Sequence, residues 1–169
     1  MKIIEALKKT KELQAKADDL REKVAKHSAY LSIENPVYPD QATQVSEWIQ
    51  AHSDILREIL RLRVEIQRTN LNTEVTIELG GKAVTKNIAE WIHRRRDLAK
   101  EEAKMWHGLT DRGLKEGQMK QSTDQLVEVK IIRCYNPRQR DEKQYLYESE
   151  PNVVDAKMEV VNAVTDLIE

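Results

Sequence analysis

Phenylalanine is missing from this 169-residue chain, and glycine, proline and cysteine are scarce at 5, 4 and 1. So little turn-forming residue argues against a β-sandwich or barrel, and one cysteine excludes an internal disulfide. Cys134 therefore reads as a small strand hydrophobe, consistent with a reducing cytoplasm. Charge of one sign is lacking too: 28 basic residues meet 29 acidic ones, so no global field points to nucleic acid or a membrane. No run approaches the roughly 18 apolar residues that a membrane helix needs. The opening MKIIEALKKTKELQAK turns polar too soon for a signal peptide, so the expected location is the cytoplasm.

What the chain does contain is charge, 34% of its residues, arranged around aliphatic periods. Ile3, Thr10, Ala17, Val24 and Leu31 form one seven-residue row, with Ala6, Leu13, Leu20 and His27 three residues after each of the first four. Val45, His52, Ile59 and Ile66 form a second row, with Trp48, Ile55, Leu62 and Thr69 offset likewise. Such seams let one helix pack along another. Between them Pro36 and Pro39 forbid helix, and Asp40 or Thr43 can cap the next one. The expectation is an antiparallel helical hairpin over 2–70. Folding it near residue 39 or 40 sets Leu31 against Trp48, Val24 against Ile55, His27 against His52 and Thr10 against Thr69.

After Asn70 the period falls to two. Val75, Ile77 and Leu79 alternate with polar residues before Gly80-Gly81, which predicts a β-hairpin over 73–84 with a short second arm. A third helix is expected over 86–110, with Ile88, Trp91, Ile92, Leu98, Ala99, Met105, Trp106 and Leu109 on its apolar face. A linker over 113–124 follows, then a second β-hairpin over 126–147 built from LVEVKIIRCY and QYLYE. The last expected helix, 150–168, has Ser149 as its cap and Pro151 in its first turn. The fold class is thus mainly α with β additions, in a single domain spanning 1–169.

Candidate sites are few. Arg68, Thr69, Asn70 and Asn72 make a polar knot where the second seam ends. Asn70 and Asn72 tolerate the left-handed conformation, so terminating the helix is favoured over binding a ligand. Arg57, Arg61, Arg94, Arg95 and Arg96, with Arg63 and Arg68 nearby, could form a phosphate-binding stripe, but interspersed acids such as Glu58, Glu65, Glu90, Asp97, Glu101 and Glu102 dilute it. The His27/His52 layer offers too few ligands for zinc and suits a register-fixing polar layer better. His93/Asp97 and His107/Asp111, each at i, i+4, fall on the outer row and read as solvated pairs. No GxSxG, P-loop, GxGxxG, cysteine pair or HExxH occurs, and neither cofactor nor metal is expected.

Ile66, Arg68, Thr69 and Asn70, followed by Arg95, Arg96 and Asp97, resemble the bacterial septicolysin-like family, small helical cytoplasmic proteins. The first helix and the valine-rich end are similar too, though TIELGGKAVTK makes a longer hairpin and the last helix is shorter than that family's pattern. The resemblance implies a mostly helical domain without an established activity. From the residues themselves, the leading expectation is a non-enzymatic, self-associating scaffold or protein-interaction protein forming a homo-oligomer. An RNA-binding helical arm using the arginine stripe is the alternative, followed by a metal-dependent hydrolase at a subunit interface.

Overall fold

A computed structural model describes residues 1–120 and 125–168. The chain is mainly helical with two short antiparallel two-stranded sheets, as its periodicities predict. It divides into two compact units. One comprises Met1–Val75, Asn87–Ala89 and Met158–Glu169, the other Thr76–Lys86 and Glu90–Lys157.

The first unit is built on α1 (Ile3–His27) and α2 (Gln41–Asn72). Every expected seam position on α1 and α2 is buried or half-buried, and Ile3, Ala6, Ala17, Ile59, Leu62 and Thr69 are fully withdrawn from water. The register differs from expectation by about one helical turn. α1 stops at His27, which leaves Leu31 exposed in the connecting loop and moves the fold point towards the N-terminus. His27 then meets Trp48 and Tyr38, at ring-centroid distances of 5.6 and 5.3 Å, instead of forming a layer with His52. The buried Gln41 side chain secures this end. Its amide donates to the His27 carbonyl, an otherwise orphaned helix-terminal acceptor, and its oxygen accepts from Val37 N–H. Asp40 caps α2 as expected, accepting from Thr43 N–H.

At the opposite end of the same unit the two chain ends meet. Ile3 N–H donates to Thr165 O and Leu167 N–H to Met1 O, while the Lys2 ammonium reaches Val164 O and Asp166. Met158, Val161 and Ile88 complete this unit's buried set with Val75.

β1 (Glu74–Leu79) and β2 (Lys82–Asn87) pair about Gly80-Gly81. Both glycines have positive φ, +56° and +75°, as a tight hairpin turn demands. The second arm is as long as the first and delays the next helix to Ile88, two residues later than the expected 86. That helix is continuous from α3 (Ile88–His93) through a π-turn (Arg94–Leu98) into α4 (Ala99–His107). Ala99 N–H reaches back to Arg94 O, five residues earlier. One turn with an extra residue rotates everything after it. Ala99, as expected, and with it Ala103 lie in the core, while Leu98 and Met105, also expected there, face water.

The linker expected over 113–124 contains a strand. β3 (Gly117–Lys120) pairs antiparallel with β4 (Leu126–Val129), and residues 121–124 of that expectation lie outside the described residues. The second hairpin is therefore not the one expected over 126–147, because QYLYE is helical. It belongs to α5 (Pro137–Val164), which starts well before the expected residue 150. Asn136 begins this helix: its side-chain oxygen accepts from Arg138 and Gln139 N–H, with Pro137 in the first helical position, where no N–H is needed. Pro151 sits inside the helix, and Ser149, rather than capping, donates to Leu146 O.

Candidate functional site

The polar knot resolves into a structural pin. Thr69 is 0% exposed, and its hydroxyl donates to Glu65 O at 2.8 Å and accepts from Ile168 N–H at 2.9 Å. One side chain thus ties α2 to the C-terminal segment of its own unit. Thr73 extends the arrangement, its N–H bonded to Thr69 O and its carbonyl accepting from Ile88 N–H. Asn72 donates to Arg68 O, four residues back, and helix continues through it. Neither asparagine has positive φ; among the described non-glycine residues only Arg112 does. The left-handed termination expected of Asn70 and Asn72 is replaced by a regular helix end at Thr73, whose extended conformation starts β1. The Asn70 Oδ1 atom is buried without a hydrogen-bond partner among the described residues.

The arginines of the expected phosphate-binding stripe are divided between the two units and engaged with acids. Arg57 and Arg61 belong to one unit, Arg94, Arg95 and Arg96 to the other, and each already holds a carboxylate. Arg57 pairs with Asp54, and Arg61 bridges Glu58 and Glu65. With Lys9 also bonded to it, Glu58 is held at a pKa of about 2, chiefly by the hydrogen bonds from Arg61. Arg96 contacts Asp97 and His93, and Arg95 pairs with Asp155.

Arg94 differs in kind. Its Nε and Nη2 atoms donate to the two oxygens of Glu150 at 2.7 and 2.6 Å, and Glu150 is only 2% exposed. Glu102 lies 3.6 Å from Nη1, and the Tyr147 ring lies under the guanidinium at 5.6 Å. The bond to Glu150 raises the Arg94 pKa further, and burial raises that of Tyr147. The π-turn begins at Arg94 itself.

The two His-x-x-x-Asp pairs are separately engaged on the surface. His107 touches Gln144, while Asp111 receives both Arg133 and the Tyr135 hydroxyl. Arg133 holds Asp111 below the usual carboxylate range. Arg140 completes this clasp by donating to Leu109 O and lying over the Tyr135 ring. Neither the clasp nor Glu150 was legible as a site in the sequence, since Asp111 lies 22 residues from Arg133 and Glu150 lies 56 from Arg94.

The arrangement that remains open to a partner is apolar. On α2, Ile49, Leu56, Leu60, Val64 and Leu71 are exposed alongside the buried seam, and on α1 Ile4 and Leu7 are exposed. Tyr30, Leu31, Ile33 and Val37 are exposed in the loop between the helices.

Neither a family model nor a curated protein matches the chain. Its fold defines a mainly α class, a long helical hairpin with two small sheets. A solved structure shares it: the crystal structure of a functionally unknown conserved protein from Corynebacterium diphtheriae. The two are 20% identical with a TM-score of 0.58, and the match covers 99% of each chain. At that identity the likeness speaks of fold alone. No helix of the described residues is long and apolar enough to cross a membrane.

Proposed function

We propose that the chain is a non-enzymatic, self-associating scaffold or protein-interaction protein of the cytoplasm. One observation carries the reading: the hairpin leaves aliphatic side chains in water along helices whose seam is already satisfied. Five such residues on α2 present roughly 500 Å² of apolar surface, the scale at which an exposed patch marks an interaction site. The lone free thiol at Cys134 accords with a reducing compartment. The resemblance to the septicolysin-like family is part of the proposal and lends it no activity. Sedimentation equilibrium from micromolar to millimolar concentration tests it. A concentration-dependent rise in mass is expected, and a strict monomer throughout would overturn the reading.

A further inference from the structure

The exposed stripe on α2 is symmetric about its own centre. Ile49 and Leu71 lie eleven residues to either side of Leu60, and Leu56 and Val64 lie four to either side. The polar positions in the same stripe obey the rule as well, Ser53 and Gln67 each lying seven away. At about 100° per residue all seven positions fall within roughly 80° of arc, so they form one face about 33 Å long. An isologous contact requires such self-complementarity, with residue i meeting j and j meeting i.

We propose that a second copy of this chain docks on that face, α2 against α2, antiparallel, with the two-fold axis passing beside Leu60. The inference rests on the self-association reading above and specifies its surface. Leu60 then meets its equivalent, Leu56 meets Val64, Ser53 meets Gln67, and Leu71 reaches Ile49 of the second copy. Beside Ile49 lies a notch of about 150 Å³ lined also by Leu20, Val24, His52, Ser53 and Arg21, whose guanidinium pairs with Asp18, a hole for that leucine. At the rim, Arg63 faces Arg57 of the second copy, a like-charge contact that Asp54 moderates by pairing with Arg57, while Arg61 is held by Glu58 and Glu65 on its own helix. Two copies together bury roughly 1,000 Å², the lower bound of a specific interface, which describes a reversible dimer.

The test uses the whole chain with Cys134→Ser, since that thiol is exposed. Leu60→Glu, at a position 63% exposed and so free of the core, should weaken dimerisation at least about 100-fold by sedimentation. Ile132→Glu, at an exposed position in the other unit, should leave it unchanged. Leu60→Cys should form an intermolecular disulfide under mild oxidation. Two helices 8–10 Å apart with Cα atoms about 2.3 Å from each axis bring equivalent positions within bonding range. If the chain associates but Leu60→Glu associates equally well and Leu60→Cys does not cross-link, this interface is wrong while self-association stands. If the chain never associates, both fail.

Discussion

Along α1 and α2 burial obeys a seven-residue rule. In the second unit the most buried ion pair joins residues 56 apart, Arg94 to Glu150. The hairpin is thus held by many interchangeable aliphatic contacts, each non-directional. Around Arg94 a few charged groups must meet in one geometry. The difference governs how each region fails: an apolar seam weakens by degrees, whereas a buried charge that loses its partner has no inexpensive alternative.

Breaking the second region should therefore have the largest effect. Glu150→Ala strands the Arg94 guanidinium and is expected to cost about 3–5 kcal/mol, read from urea unfolding. Replacing both, as Arg94→Met with Glu150→Leu, should recover most of that loss. A double variant as unstable as the single one would show that the pair itself, not the orphaned charge, stabilises the fold. In the first region the nearest comparison is Thr69→Val, which leaves Ile168 N–H without its acceptor. About 1–3 kcal/mol is expected, with faster amide exchange at the C-terminal segment.

These two residues also show what the sequence permits one to read. The seams were legible because periodicity is a local property, repeated often enough to survive His27 or Thr69 standing in a hydrophobic row. Register was less so, because it depends on where α1 stops, and that is decided by Gln41 reaching the His27 carbonyl across the loop. The helical state of QYLYE was hidden by its aromatic, strand-like composition. Its true signal lay upstream in Asn136-Pro137, an N-cap followed by a first-turn proline. The pairing of Glu150 with Arg94 has no local signature at all.

Acid should act on both regions through carboxylates with lowered pKa, Glu58 in one and Asp111 in the other. Because the folded form holds the lower pKa, the contribution is present above the unfolded range near 4 and disappears as pH falls through the folded value, about 2 for Glu58. Melting temperature followed across that interval should fall less steeply for Glu58→Gln than for the parent chain. Both side chains are about a third exposed, so solvent screening keeps the change in slope modest. Smallest of all is Arg57→Ala. Its exposed pair with Asp54 should change stability by less than about 0.5 kcal/mol, and a larger loss would contradict the view of this helix as held by its seam.

The five-residue turn at Arg94–Leu98 carries a consequence for chain length. An α-helix that widens for one turn has accommodated one residue more than its period allows, and it keeps Trp91, Ala99 and Ala103 in the core by doing so. Deleting Arg96 would let the helix close into an uninterrupted α-helix while those three residues keep their places. Arg94 would stay opposite Glu150. A segment that elsewhere in the protein would be ruined by a frameless loss of one residue is, at this turn, built to tolerate it.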